Sequence, residues 1–167
     1  MRRMSRPASA VAVVAVVAAV ALVAAGLLAP RLGAAAARDD RRAEVLQAAR
    51  QATVDFTTLD YRHLDRDLDR VLQGATGGFR KQFRAGTHDL ERLVTANKAV
   101  ARGQVLDAGL VSFDDDSARV LVAADSTVTN TGNPAPQKRH YRIQLDLTRG
   151  GPPGHSRWLV SDLTFIG

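Results

Sequence analysis

Residues 140–148 read His-Tyr-Arg-Ile-Gln-Leu-Asp-Leu-Thr, or HYRIQLDLT in one-letter code. Tyr141, Ile143, Leu145 and Leu147 alternate with polar residues, and successive side chains of a β-strand point to opposite faces. The alternation predicts a strand that buries one face and exposes the other to water. A strand of this kind is typical of an antiparallel sheet.

Three further segments around this strand share its period of two. Short stretches rich in Asp, Gly, Pro and Asn separate them, and these residues favour turns. We therefore expect four strands in a mainly antiparallel sheet, at Val100–Phe113, Arg119–Thr129, His140–Thr148 and Arg157–Ile166.

Before residue 100 the apolar residues recur at intervals of three and four, which is the spacing of one helix face. Asp60 is placed to be the N-cap of a second helix, and Gly74 its left-handed C-cap. Gly86 is expected to interrupt the third. The spacing predicts three helices, over residues 34–59, Tyr61–Gln73 and Thr76–Asn97.

Helices followed by strands, rather than alternating with them, indicate the α+β class. The helical stripes and the alternating strands each need a partner that covers their apolar side. A curved sheet wrapped around the three helices, in the form of a cone, buries both patterns. The sequence therefore predicts a cone-like α+β domain.

The N-terminal run from Ala8 to Ala29 contains 22 residues and no charge. At about 1.5 Å per residue it spans roughly 33 Å, enough for a hydrocarbon core of about 30 Å. The run predicts a transmembrane helix. A cleaved signal peptide remains an alternative, because the small residues Ala34–Ala37 would suit a cleavage site, but the apolar run is longer than such peptides use.

These segments divide the chain into four parts. They are a cytoplasmic tail at 1–7, the transmembrane helix at 8–29, a juxtamembrane linker with the first helix of the domain at 30–59, and the remainder of the cone-like domain at 60–167. Arginines flank the apolar run on both sides, so the positive-inside rule gives only a small preference for a cytoplasmic N-terminus.

Composition excludes several classes of function. The 167 residues contain no Cys, which excludes disulfides, cysteine-ligated zinc and thiol catalysis. The net charge is +6, and three of the positive charges (Arg2, Arg3 and Arg6) precede the apolar run. The rest of the chain has 20 basic and 17 acidic residues, a surplus of +3, too small to predict a nucleic-acid partner.

No motif of a known catalytic or metal site is present. The run of Asp65, Asp67 and Asp69 lacks the later residues of a calcium loop, and we expect it on the solvated face of the second helix. Asp114–Asp116 reads as a solvated turn, and Trp158 as a packing residue. His63, His88, His140 and His155 share no ligand spacing. We therefore predict no catalytic, cofactor-binding or metal-binding residues, and no cofactor.

Five segments, taken in order, resemble the Mce-associated membrane proteins of actinobacteria. They are residues 55–62 (DFTTLDYR), 74–79 (GATGGF), 96–98 (ANK), 140–142 (HYR) and 157–163 (RWLVSDL). The resemblance implies a single-pass protein of the cell membrane with a cytoplasmic N-terminus and an extracytoplasmic domain. It also implies the cone-shaped fold of nuclear-transport-factor-2-like proteins, support of an Mce-type lipid importer, and no catalytic residues.

The main functional hypothesis is thus a non-catalytic, membrane-anchored accessory subunit, with the bilayer and Mce-type importer subunits as partners. Three alternatives stay open. A lipid or small molecule would need an apolar cavity inside the cone, unless Phe79, Phe83, Val120, Val122 and Leu145 fill it. An isomerase- or cyclase-like enzyme would need a cavity acid such as Asp60, Asp107 or Asp162. A secretion-system scaffold would share the same plan of anchor and cone.

Overall fold

The structure, a computed structural model, describes residues 37–151 and 154–166. The predicted transmembrane helix, Ala8 to Ala29, and the predicted tail at 1–7 lie outside the described residues. Inside them, no helix is both long and apolar enough to cross a bilayer. By internal contacts the chain divides after Arg41, and the unit Arg42–Gly167 contains the sheet and its core.

In the part of the chain from residue 37 onward, three helices precede the long strands, as predicted. Helix α1 occupies residues 37–57, α2 is Leu64–Gln73 and α3 is Gly77–Ala96. Three details of the prediction were wrong. His63, not Asp60, is the N-cap of α2, and Gly74 ends it in a right-handed conformation with φ of −77°. Helix α3 runs through Gly86 without a break, because one glycine costs a helix only about 1 kcal/mol.

The sheet has five strands, not the four that were predicted. Strand β1 is Leu59–Asp60, β2 is Val100–Phe113, β3 is Ser117–Thr129, β4 is Gln137–Gly150 and β5 is Arg157–Phe165. They pair antiparallel in the order β1-β2-β3-β4-β5. Strand β1 pairs only with Ala101 and Val100, and two residues are too few to show a period in the sequence.

The main core lies between one face of the sheet and helix α1. Val45 and Ala49 of α1 are completely buried against alternate residues of β3, β4 and β5. Strand β4 buries one face as predicted, since Ile143, Leu145 and Leu147 are all at most 2 % exposed. Helix and sheet therefore cover each other's apolar sides, and the domain is α+β.

Helix α3 contributes little to this core. Val94 is the one fully buried residue in its 20 described positions. Its first half instead carries Phe79 and Phe83, whose rings lie 6.4 Å and 6.0 Å from the ring of Phe56. The ring of Phe165 lies 5.9 Å from the same ring. These partly exposed aromatic rings join α1, α3 and the end of β5.

Candidate functional site

The space between the helices and the sheet is filled. Val120, Val122 and Leu145 are at most 2 % exposed, and Phe79 and Phe83 pack at the margins. The cavity left beside α1 and β5 has a volume of about 10 Å³, whereas a drug-sized ligand needs roughly 300 Å³ or more. The described interior therefore has no room for the lipid or small molecule that the sequence left open.

None of the three candidate cavity acids lines this cavity. Asp107 is 88 % exposed on β2 and lies 3.8 Å from Arg50 of α1. Asp162 is exposed on β5. Asp60 is partly buried, but Arg62 meets its carboxylate with both Nε and Nη2, at 2.9 Å and 2.5 Å. These hydrogen bonds hold the pKa of Asp60 well below its usual range, so the group stays a paired carboxylate.

A buried carboxylate elsewhere was missed. Asp67 was predicted on the solvated face of α2, but it is 1 % exposed. Its Oδ2 accepts a hydrogen bond from the backbone N–H of Asp60 at 2.9 Å, and its Oδ1 accepts one from Arg70 Nη2 at 2.9 Å. Arg70 also lies 3.4 Å from Asp55 of α1. The signal was present in the sequence, because Asp67 falls three residues after Leu64, within the apolar stripe of α2.

One histidine has a defined partner. His140 Nδ1 lies 2.6 Å from Oδ1 of Asp125, whose side chain is 8 % exposed, while the His140 side chain is 74 % exposed. This carboxylate orients the ring, but no described Ser or Thr hydroxyl is hydrogen-bonded to it. The other three histidines, His63, His88 and His155, are exposed and far from this pair in the sequence. The pair alone does not form a nucleophilic or metal site.

The remaining candidates have structural roles. Asp114 and Ser117 close the turn between β2 and β3. No group of His, Asp and Glu suited to a metal ion occurs in the described part of the chain. Trp158 is 7 % exposed, packs 6.0 Å from Phe113, and carries the guanidinium of Arg149 over its ring at 5.6 Å. It is the packing residue that was expected.

The segment 55–62, the first of the five segments quoted from the sequence, joins α1 to the sheet. Thr58 Oγ1 accepts a hydrogen bond from Gly103 N at 3.0 Å, and Ser126 Oγ donates to the carbonyl of Thr57 at 3.0 Å. Thr57 packs so closely on Gly103 that a Cβ added there would lie 1.9 Å from its Oγ1. Packing and hydrogen bonding therefore account for Thr57 and Thr58, and no catalytic role is needed to explain them.

Several residues on the exposed side of the sheet take no part in the core or in the contacts between α1 and the sheet. The face turned away from α1 has a shallow groove of about 400 Å³ between β2 and the end of β5. Its lining combines small and aliphatic residues with one acid and one base, namely Gly109, Leu121, Ala123, Ile166, Asp107 and Arg142. Next to it, Leu106 and Val111 of β2 are 57 % and 56 % exposed. This surface suits contacts with another molecule better than it suits catalysis.

Sequence comparison places the chain among known proteins. The profile of a family described as "Uncharacterized protein Rv1363c/MT1408-like" matches residues 4–157. The chain belongs to this family. It is 32 % identical over 129 residues to the uncharacterized protein Rv1363c of Mycobacterium tuberculosis. That alignment covers 77 % of this chain and 48 % of Rv1363c, so the chain spans about half the length of that relative. The family description does not mention Mce importers.

The fold is similar to domains from secretion systems. An IcmL-like type IV secretion system protein of Legionella pneumophila superposes with a TM-score of 0.62 at 19 % identity, covering 75 % of this chain and 94 % of that one. The periplasmic domain of DotI gives 0.60 at 17 %, covering 73 % and 92 %. CagV of Helicobacter pylori, a VirB8 homolog, gives 0.58 at 13 %, covering 74 % and 96 %. At these identities the likeness is one of fold.

Proposed function

We propose that this protein is a membrane-anchored, non-enzymatic scaffold subunit of a protein complex in the cell envelope. The domain lies on the extracytoplasmic side and contributes surfaces to the assembly. The observation that carries the proposal is the combination of a filled interior with exposed aliphatic residues on the outer face of the sheet. A cavity of about 10 Å³ holds no substrate, while Leu106, Val111 and Leu121 face solvent.

The fold supports the same reading. Proteins whose domains superpose on this one include named components of type IV secretion systems, and one of them is described as periplasmic. A predicted helix at Ala8 to Ala29 would hold the domain at a membrane, where confinement raises its effective concentration near a membrane partner. The scaffold hypothesis thus needs only the surface that the domain displays.

The identity of the complex is the finer part of the proposal. The segments that resemble Mce-associated proteins favour a lipid importer, whereas the fold likeness favours a secretion-type assembly. Both hypotheses require a stable complex in the membrane, and they differ in which subunits it contains.

Affinity purification of the tagged full-length chain from its own membranes in mild detergent tests the proposal. We expect integral membrane proteins to be recovered in fixed proportion, and mass spectrometry then identifies them as importer or secretion-type subunits. A matched control is Leu121→Glu, which places a charge on the exposed sheet and leaves the core intact. Equal recovery of the partner proteins by the wild type and by Leu121→Glu would contradict a role for this face. Recovery of no partner by the wild type would contradict the scaffold function.

The groove on the outer face favours a second candidate, binding of a small amphiphile. Its volume of about 400 Å³ falls within the range of ligand pockets, and its floor is apolar. Arg142 supplies a positive charge and Asp107 a negative one in its lining. Titration of the purified chain with a fluorescent fatty acid tests this candidate. Saturable binding that Arg142→Gln weakens supports it, and binding unaffected by both Arg142→Gln and Leu121→Glu contradicts it.

A further inference from the structure

The first residues of β4 form an uncovered edge of the sheet. Strand β5 pairs with β4 from Ile143 to Gly150, and just beyond this ladder Ile166 N–H donates to the carbonyl of Arg142 at 2.8 Å. Among the described residues, none pairs with residues 137–141 on the side opposite β3. We call these five residues the β4 edge. At about 3.4 Å per residue they span roughly 17 Å, the length of an ordinary strand.

The backbone of the β4 edge offers hydrogen-bonding groups at a regular spacing. In an antiparallel pair, every second residue turns its N–H and C=O toward the same neighbouring strand. The carbonyl of Arg142 points to the side of β5, because it accepts its hydrogen bond from Ile166 there. Lys138 and His140 therefore turn their N–H and C=O to this side, where no described residue pairs with them. Backbone groups in this arrangement bind an added strand.

The outer face of the β4 edge is basic. Lys138, His140 and Arg142 alternate along the strand, and Arg139 lies between them on the opposite face. In the described part of the chain, Lys138, Arg139 and Arg142 are exposed and have no ion-pair partner. Asp125 is the acid opposite the edge on β3, and it is 8 % exposed and held by His140 at 2.6 Å. The edge therefore has a surplus of unpaired positive charge.

The face of the β4 edge turned toward the helices is aromatic. The ring of Tyr141 lies 5.6 Å from the ring of Phe165, which is 50 % exposed. Successive side chains of an added strand point to opposite faces of the sheet. Every second residue of such a strand would meet these two rings, and the residues between them would meet Lys138 and Arg142. The surface therefore fits an extended segment in which apolar and acidic residues alternate.

The charge of the β4 edge also determines which partners fit poorly. Lys on an exposed edge deters pairing between copies of the same protein. Two copies of this edge would set like charges opposite each other, which destabilises a pair of strands, whereas opposite charges stabilise it. A bilayer surface or a nucleic acid can offer negative charge, but neither offers backbone groups at the spacing of a strand. An acidic peptide segment offers both.

We propose that the β4 edge binds an extended acidic segment of a partner protein, which adds a strand to the sheet in line with β5. The backbone of the segment pairs with Lys138 and His140. Its acidic side chains face Lys138 and Arg142, and its apolar side chains face Tyr141 and Phe165. The proposal rests on the scaffold function, because it names the chemistry by which one subunit of the envelope complex is recognised.

Titration with a defined peptide tests the charge requirement. The probe is a fluorescent peptide of about eight residues in which Glu and Val alternate, close to the length of a strand. The full-length chain in mild detergent should bind it saturably, measured by fluorescence anisotropy. Lys138→Glu/Arg142→Glu should weaken binding by roughly tenfold or more, because like charges then face each other across the added pair. Arg92→Glu, the same reversal at an exposed position of α3, is the matched control and should bind as the wild type does.

A second probe separates strand pairing from charge. The same peptide with methylated backbone nitrogens keeps its side chains but lacks the N–H groups that β4 needs, and it should not bind. In NMR spectra of the full-length chain, the amides of Lys138 and His140 should exchange rapidly with water, and the unmethylated peptide should slow the exchange of both. Equal binding of the methylated peptide, or exchange that the bound peptide leaves unchanged, overturns the proposal.

Three further outcomes overturn it. One is the absence of saturable binding by the wild type. Another is equal binding by Lys138→Glu/Arg142→Glu with an unchanged circular dichroism spectrum. The third is equally tight binding of a thymidine oligonucleotide or of phosphatidylglycerol vesicles, since charge alone would then explain the affinity. The scaffold function is tested separately, because membrane subunits recovered equally by the wild type and by this double variant would leave the scaffold in place and its contact elsewhere.

Discussion

Asp67 shows at the scale of one residue how α1, β1 and α2 are held together. Its carboxylate is buried, accepts a backbone hydrogen bond from Asp60, and pairs with Arg70, which also reaches Asp55. We expect Asp67→Ala to lower the free energy of unfolding by about 2–3 kcal/mol, because it leaves the partly buried Asp60 N–H without an acceptor and removes one of the two carboxylates that pair with Arg70. Urea denaturation, followed by the fluorescence of Trp158, measures this loss.

Asp65→Ala is the matched control for this prediction. Asp65 lies on the same turn of α2 but is exposed, so its removal should change the free energy of unfolding by less than about 0.5 kcal/mol. Equal losses in the two variants would mean that Asp67 contributes only as an acidic residue near a helix start, and that its buried contacts add nothing.

Arg119 and Asp146 form the ion pair of the exposed sheet face. Arg119 Nε and Nη2 donate to the two carboxylate oxygens of Asp146 at 2.7 Å and 2.9 Å. These hydrogen bonds lower the pKa of Asp146 from its ordinary value. Because the folded-state pKa is the lower one, the pair stabilises the fold above the ordinary Asp pKa of about 3.9. That stability is lost as the pH falls through the folded pKa.

Arg119→Gln should therefore raise the pKa of Asp146, measured by NMR titration of its carboxyl carbon. It should also destabilise the protein at neutral pH but not at a pH below the folded pKa of Asp146. Arg84→Gln on α3 removes the same charge at a distance and should leave the Asp146 titration unchanged. An Asp146 pKa that does not rise in Arg119→Gln would show that the hydrogen-bonded pair does not form in solution.

At the scale of elements, Gly86 tests whether α3 is one continuous helix. It lies in the interior of α3 on the exposed side, and a Cβ added there meets no atom within 4 Å. Gly86→Ala should raise the free energy of unfolding by about 0.5–1 kcal/mol, because alanine loses less backbone entropy on forming a helix. Thermal unfolding measures the change. Destabilisation would instead favour the interruption that the sequence suggested.

The elements also show which patterns in the sequence are informative. The four long strands were predicted to within three residues at each end, because a buried sheet face imposes a period of two over many positions. Strand β1 was missed because its position beside β2 depends on the close fit of Thr57 and Thr58 against Gly103. Contacts of this kind join residues about 45 positions apart, and no local pattern records them.

The candidate surface could be predicted only in part. The alternation of residues 140–148 indicates which side of β4 faces solvent, so an exposed sheet face was expected. The free edge of β4 was not, because β4 begins earlier than its alternation shows, at Gln137, and β5 does not reach residues 137–141. The burial of Asp67, by contrast, could have been expected from its place in the apolar stripe of α2, whereas the contact of its partner Arg70 with Asp55 of α1 could not.

At the scale of the whole molecule, the scaffold hypothesis requires the domain to lie outside the cytoplasm. The absence of native cysteine makes this testable with single cysteines in intact cells. Thr131→Cys, in the exposed turn between β3 and β4, should react with a membrane-impermeant maleimide. Ser5→Cys, before the apolar run, should react only after the membrane is permeabilised, because a single spanning helix places the two positions on opposite sides.

The reverse labelling pattern would place the domain in the cytoplasm and would contradict an envelope scaffold. Labelling of both positions in intact cells would mean that the run from Ala8 to Ala29 does not hold the N-terminus inside. The length of the labelled product adds a second distinction. If the apolar run is cleaved as a signal peptide, Thr131→Cys is labelled on a chain shortened by more than 30 residues, and the domain must then reach its complex without an anchor of its own.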